Sequence, residues 1–171
     1  MIRLSRGFVV LALLAVLAFS AAPARAAWFF IHGAAAVIQP SSLTEVATYD
    51  VAGWGLRVTV KKGKSVWIHA PFANPALDGT TVNTIQLIWK AASKTIYVSG
   101  VDVYDGSVKF WAKQGNWKGT GVDGNYAATN WSLGRDWNIS RGFGISFAIT
   151  NKGGKDQEVI IASAGASFND K

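Results

Sequence analysis

The chain of 171 residues contains no cysteine. This absence excludes a disulfide framework, a catalytic thiol and a cysteine-ligated zinc site. Without cross-links the fold has to be stabilised by packing, and the sequence supplies eight Trp and nine Phe. Each buried aromatic side chain removes about 150–250 Å² from water. The composition therefore indicates a folded domain with an aromatic-rich core.

Glutamate and histidine are also scarce. Glu45 and Glu158 are the only glutamates, and His32 and His69 are the only histidines. Most aspartates precede glycine or end an apolar segment, where turn formation accounts for them, so no carboxylate pair of the kind a glycosidase needs is evident. A Ser-His-Asp arrangement could use either histidine, but the G-x-S-x-G motif is absent, and His69 shares a strand face with Trp67, which favours packing. We predict that the protein is not an enzyme.

Metal-binding patterns are weak. Two histidines without cysteine do not complete a zinc site unless carboxylates join them. Asp102, Asp105, Asp123 and Asn125 offer oxygen ligands suited to calcium, but their spacing matches no calcium-binding loop. We predict neither a metal nor another cofactor.

Long apolar runs are missing except at the N terminus. Arg3 and Arg6 precede an apolar segment at residues 8–19, which is shorter than the roughly 20 residues that a membrane-spanning helix needs. Ala24 and Ala26 then form an A-x-A cleavage signal. Residues 1–26 are therefore predicted to be a secretory signal peptide, and residues 27–171 a single domain that is secreted or periplasmic.

The remaining charge is small. Three of the 17 basic residues lie in the signal segment and no acid does, which leaves a net charge of +4 on residues 27–171. The densest basic cluster, Lys61, Lys62 and Lys64, surrounds Gly63 and is typical of a turn. Nucleic acid is therefore not a predicted partner.

Apolar residues recur with period two, in short segments separated by Gly, Asn, Asp and Pro. This pattern predicts an all-β domain built as an antiparallel β-sandwich or a jelly-roll-like fold. Segments 56–60 and 66–70 are predicted to form a hairpin around the turn at 61–64. About nine strands are expected, at residues 28–38, 56–60, 66–70, 82–90, 95–104, 108–113, 131–139, 143–150 and 159–168.

The segment 108–113 gives the most specific functional hypothesis. If Val108 and Phe110 face the core, the alternation leaves Lys109, Trp111 and Lys113 in solvent. A tryptophan between two lysines is suited to stacking on a sugar ring or lying at a lipid headgroup boundary. The alternative is that Trp111 packs beneath the following loop, with the lysine stems beside it.

That loop is predicted to span residues 115–130 and is rich in glycine and asparagine. Long loops in compact domains often carry function. It contains Trp117 and Tyr126 and ends next to Trp131. With Lys109, Trp111 and Lys113, these three aromatics form the predicted ligand-binding surface.

Several short motifs follow one another along the chain, at residues 31–33, 53–55, 66–72, 101–106, 143–146 and 162–168. In this order they resemble a bacterial family of small all-β proteins catalogued as a domain of unknown function. The resemblance implies a fold and a bacterial origin, and no catalytic residue. Members of that family often carry cysteine at the position of Ala166, so the difference argues against an essential thiol here.

Together these features favour an exported, non-enzymatic β-sandwich that binds a glycan or another cell-envelope component. The alternatives are a secreted protein that acts on a membrane surface through its basic charge and aromatic residues, a structural protein that self-associates, and an enzyme with a scattered site. The oligomeric state is not predicted.

Overall fold

In the computed structural model, residues 26–73, 80–119 and 125–169 are described. The predicted signal peptide lies outside these ranges, apart from Ala26. Within them the chain forms one domain of eleven strands and two short 3-10 helices, at Gly33–Ala35 and Pro40–Glu45. The strands are β1 (Ala27–His32), β2 (Val37–Ile38), β3 (Val46–Ala52), β4 (Gly55–Val60), β5 (Ser65–Pro71), β6 (Thr81–Ala91), β7 (Ile96–Asp105), β8 (Val108–Lys118), β9 (Ala127–Asn138), β10 (Phe143–Asn151) and β11 (Gln157–Asn169).

Two antiparallel sheets pack face to face, which confirms the predicted β-sandwich. One sheet has the order β3-β4-β11-β6-β9, with β1 also paired to β11, and the other has the order β2-β5-β10-β7-β8. The long strand β11 pairs first with β4 and then, beyond an irregularity between Ile161 and Ser163, with β1. As a result, β1 and β4 lie end to end beside one strand.

The apolar alternation places one face of each central strand in the core. Val58, Ile68, Leu87, Trp89 and Phe147 are fully buried between the sheets. Burying such a side chain stabilises the fold by about 1.5–3 kcal/mol. Their neighbours in sequence face outward, so each sheet also has an outer face on which functional side chains can lie.

The structure differs from the sequence prediction in its strand boundaries. The segment predicted as one strand at 28–38 is two strands, β1 and β2, separated by the first 3-10 helix. A side chain at Gly33 would collide with the main-chain oxygen of Ile161, so the chain turns closely against β11 at this point. Strand β3 was not predicted because its residues follow no clear alternation, and most of them are exposed.

The predicted hairpin of segments 56–60 and 66–70 is wrong. A turn does form, since the Lys64 amide donates to the Lys61 carbonyl at 3.1 Å. However, β4 pairs with β3 and β11, whereas β5 pairs with β2 and β10. The turn therefore carries the chain from one sheet to the other. Turn chemistry indicates a reversal of direction but not the partner of the strand that follows.

No helix within the described ranges is long and apolar enough to span a membrane.

Candidate functional site

A cavity of about 480 Å³ opens at one end of the five-stranded sheet. This volume lies within the range of small-ligand sites, about 300–1,000 Å³. The cavity forms where β5 ends, β7 turns into β8 and β10 begins, and its polar lining comes mainly from His69, Tyr104, Ser107 and Ser146. We call it the sheet-end pocket.

Gly144 leaves the pocket open. It pairs with Pro71 of β5 on one side and with Tyr104 of β7 on the other. Cross-strand partners share a face of the sheet, so the three positions form one row on the outer face. A Cβ atom at Gly144 would meet only the Ala70 carbonyl oxygen, at 4.0 Å. The space above Gly144, between Pro71 and Tyr104, is therefore unfilled.

The next row on this face carries a network of polar side chains. Ser146 lies between His69 of β5 and Asp102 of β7. The Nδ1 atom of His69 is 2.5 Å from Ser146 Oγ. The Tyr104 hydroxyl donates to Asp102 Oδ2 at 3.2 Å, and Lys109 Nζ donates to the same oxygen at 3.1 Å. These bonds hold the Tyr104 side chain in place at the pocket and the Lys109 ammonium group next to Asp102.

The network determines the charge of these groups. Burial, followed by the proximity of Asp102, raises the pKa of Tyr104, so its hydroxyl stays protonated. The hydrogen bond to Asp102 and the charge of that carboxylate raise the pKa of Lys109. Burial lowers the pKa of His69. At neutral pH the pocket therefore presents a neutral phenol and a neutral imidazole, with an ammonium group beside them.

Asp105 fixes the position of the β7–β8 turn at the edge of the pocket. Burial alone would raise its pKa, but hydrogen bonds from the Arg141 amide (2.6 Å) and from the Ser140 hydroxyl (3.0 Å) and amide (3.1 Å) outweigh burial and lower it. In addition, the Gly106 amide donates to the Gly142 carbonyl at 2.6 Å. The β7–β8 turn is thus fixed to the segment that precedes β10.

The Ser146–His69 pair does not resemble a hydrolase nucleophile. Ser146 lies at the wall of the pocket but is only 2% exposed, and its hydroxyl is engaged by His69, so little of it is accessible to a substrate carbonyl. Within the described part of the chain, no carboxylate hydrogen-bonds His69, and Asp102 is engaged by Tyr104 and Lys109 instead. An acyl-transfer site needs the base oriented by a third group.

Asp102 and Asp105, whose carboxylates would suit calcium, do not converge on a common metal site. Asp102 and Asp105 are engaged by the donors described above, and Asp123 lies outside the described residues. Among residues 26–73, 80–119 and 125–169, no group of three or more His, Asp or Glu side chains is arranged to hold a metal ion.

The predicted phase of the β8 strand is wrong. Lys109 pairs with Tyr104 and Trp111 pairs with Val103, which leaves Phe110 as an extra residue in a β-bulge. Because Val103 faces the core, Trp111 faces inward as well and packs against the core margin, together with Phe110. Lys109 lies on the outer face beside Tyr104, where it contacts Asp102 and is not part of the pocket lining. Trp111 therefore packs, as the alternative expected, but it does so against the core; its position beneath the following loop stays a prediction, because part of that loop lies outside the described residues.

The other predicted site residues also lie apart from the pocket. Trp131 is 3% exposed, and its ring meets that of Trp117 edge to face, with 5.3 Å between centroids. Lys113 and Tyr126 are exposed. The predicted loop at 115–130 is shorter than expected, because β8 extends to Lys118 and β9 begins at Ala127. The six predicted residues therefore do not form one exposed surface, because Trp131 is buried and the inward-facing Trp111 and Trp117 are half-buried.

Sequence reasoning missed Tyr104 and Gly144 and assigned His69 to packing. His69 and Trp67 do share a face, but it is the outer face of the five-stranded sheet. The signal that could have identified the site is the outward row of Pro71, Gly144 and Tyr104, and this row becomes apparent only once β5, β10 and β7 are known to be neighbours.

No protein-family model and no curated protein matches the chain. Among solved structures, the fold is similar to the xylan-binding module CBM15, with a TM-score of 0.52 and 12% identity, covering 86% of this chain and 99% of that one. It is also similar to the C-terminal CBM6 of LamC, a marine laminarinase from Zobellia galactanivorans, with a TM-score of 0.50 and 10% identity, covering 82% and 99%. At these identities the likeness establishes a shared β-sandwich fold.

Proposed function

We propose that this domain is a non-catalytic carbohydrate-binding module that holds a glycan in the sheet-end pocket. The observation that carries the proposal is the row Pro71–Gly144–Tyr104, in which an open glycine lies beside an aromatic ring. A glycan needs an apolar surface for the C–H face of its ring and hydrogen-bonding groups for its hydroxyls, and aromatic side chains with a polar tip supply both.

The polar groups of the pocket suit this ligand. Because His69 uses Nδ1 for Ser146, its Nε2 is the ring nitrogen left for a ligand hydroxyl. Lys109 uses one donor on Asp102 and has two more, with half of its side chain in solvent. Tyr104 is oriented through its own hydroxyl, so the ring is fixed before the ligand arrives, which reduces the entropy lost on binding.

The fold supports the same class of function. The two similar solved structures are carbohydrate-binding modules, one of which is named for binding xylan. The buried Ser146 and the engagement of Asp102 and Asp105 agree with a role in binding rather than catalysis.

The proposal places the domain outside the cytoplasm, with a cell-envelope or extracellular glycan as its ligand and membership of the all-β family of unknown function as its context. The support for export is the sequence of residues 1–26, of which only Ala26 lies within the described structure. The support for family membership is the series of motifs between residues 31 and 168.

A glycan array followed by titration calorimetry tests the pocket. Tyr104→Ala is expected to weaken binding by about 5- to 150-fold, the equivalent of 1–3 kcal/mol for a lost stacking platform. Tyr104→Phe keeps the ring and separates stacking from the hydroxyl bond to Asp102. Tyr49→Ala is the matched control, because Tyr49 is exposed on β3 in the other sheet. Equal affinity of the parent and Tyr104→Ala would contradict the proposed site.

A further inference from the structure

The outer face of the six-stranded sheet carries a second group of exposed aromatics. Trp28 and Phe30 of β1 are 42% and 47% exposed. Their rings are nearly parallel, with 5.6 Å between centroids and 16° between planes. Phe29, between them, points to the opposite face and packs edge to face on the buried Phe168. Phe29 is itself 48% exposed, so all three rings lie partly in solvent, with Trp28 and Phe30 together on the outer face.

Packing explains only part of this arrangement. Phe30 pairs with Gly165 of β11, and a side chain at Gly165 would collide with the Phe30 ring. Covering a strand glycine with an aromatic ring stabilises a sheet, which accounts for one side of Phe30. It does not account for the solvent-exposed side, nor for Trp28, which pairs with Ser167.

The neighbouring strands extend this surface with uncharged polar groups. One row runs from Trp28 through Ser167 and Thr84 to Ser132, and the next runs from Phe30 through Gly165 and Gln86 to Asn130. The Gln86 amide donates to Asn130 at 2.6 Å, which fixes both side chains. No charged residue occupies either row. Three inter-strand spacings give a width of about 14 Å, enough for more than one sugar ring.

We infer that these two rows, the aromatic face, bind a neutral polysaccharide, with sugar rings against Trp28 and Phe30 and hydroxyls on Gln86, Asn130 and Ser132. Charge complementarity selects this ligand. An acidic polysaccharide would find no cation in either row, whereas an uncharged polyol matches amide and hydroxyl groups. The choice of glycan as ligand class rests on the proposed function, but the residues do not overlap with the sheet-end pocket.

The aromatic face lies on the outer side of one sheet and the pocket on the outer side of the other. A long polymer, or two strands of it, can thus be engaged on both sides of the domain. Linked sites of this kind bind more tightly to a polymer than to a short oligosaccharide, because the second contact forms at high effective concentration.

Affinity gel electrophoresis tests the inference with arabinoxylan, galactomannan and mixed-linkage β-glucan as neutral probes and polygalacturonate as the acidic one. The double variant Trp28→Ala/Phe30→Ala is expected to lose at least about fivefold in affinity for a neutral probe that retards the parent. Trp28→Thr/Phe30→Thr repeats the test with residues that favour strands, and thermal melts identify any variant that fails to fold. Tyr49→Ala again serves as the exposed-aromatic control.

The outcomes separate this inference from the proposed pocket. Loss of binding in the β1 variants with retention in Tyr104→Ala supports the aromatic face and contradicts the pocket, and the reverse result contradicts the aromatic face alone. Retardation by none of the neutral probes, or by polygalacturonate only, overturns the inference. A parent that sediments as a dimer while the β1 double variant sediments as a monomer also overturns it, because the face then binds a second copy of the chain.

Discussion

Replacing Gly144 with leucine is expected to block ligand binding in the sheet-end pocket without destabilising the fold. Gly144 does not have a positive φ angle. A Cβ atom there would meet only the Ala70 carbonyl oxygen, at 4.0 Å. The backbone therefore accepts a side chain at this position, and the space that the side chain enters is the pocket between Pro71 and Tyr104.

The two expected effects have opposite signs. A glycine inside a strand or helix costs about 0.5–1 kcal/mol relative to alanine, so Gly144→Leu should leave the free energy of unfolding unchanged or raise it by that amount. For a chain of this size, 1 kcal/mol corresponds to about 2–4 °C in Tm. Glycan affinity should fall by at least about tenfold, or 1.4 kcal/mol, because the leucine occupies the volume that the ligand needs.

Differential scanning calorimetry and titration calorimetry on the same preparations measure both effects. Gly53→Leu is the matched control, since Gly53 lies in the β3–β4 turn, has no atom within 4 Å of an added Cβ and has no positive φ angle. Unchanged affinity in Gly144→Leu would show that the ligand does not occupy the pocket. A fall in Tm of several degrees would show that the space above Gly144 is not open.

Two further predictions concern stability. Asn151 is fully buried, donates to the carbonyls of Val60 (3.0 Å) and Lys155 (2.9 Å), and accepts from the Gly153 amide (2.8 Å). Because each bond contributes about 1 kcal/mol, Asn151→Ala should lower the free energy of unfolding, measured in urea, by about 3 kcal/mol. A loss below about 1 kcal/mol would contradict this role. Burial lowers the pKa of His69 in the folded protein below its ordinary value of 6.5, so the unfolded chain binds a proton at His69 more readily than the folded chain does. The contribution of neutral His69 to stability is therefore present above pH 6.5 and is lost as the pH falls through the pKa of the folded state. Thermal melts between pH 8 and pH 5 should therefore show a larger drop for the parent than for His69→Gln, and parallel curves would mean that His69 does not titrate differently in the folded state.

The alternation of apolar residues was sufficient to predict the fold class. Val58, Ile68 and Phe147 lie in clear period-two segments and are fully buried, since side chains on one face of a strand share one environment. Sheet order was not predictable in the same way. The turn after β4 gives no information on whether β5 joins the same sheet, because either sheet would bury the same face of β5.

The surroundings of the candidate site depend on a β-bulge in β8, which the alternation of apolar residues does not predict. One extra residue in β8, Phe110, reverses the phase of the residues that follow it, so Trp111 faces the core while Lys109 lies beside Tyr104. A bulge moves every later side chain to the opposite face, and no local residue pattern in 108–113 marks it. The predicted aromatic surface was wrong from that point on, whereas Lys109 lies on the outer face as predicted, next to the pocket residue Tyr104.

Both proposed binding surfaces depend on a glycine that faces outward from a central strand. Gly144 lies opposite Tyr104, and Gly165 lies opposite Phe30. A glycine inside a strand by itself indicates only a bulge, a weak point or a close approach. Gly100 shows the difference, because it lies opposite Gln114, whose amide nitrogen would be 2.9 Å from an added Cβ and fills the space. The residue across the ladder thus decides whether a strand glycine is left open, as Gly144 is, or is covered, as Gly165 is by the Phe30 ring and Gly100 is by Gln114. That neighbour is fixed by sheet order rather than by the local sequence.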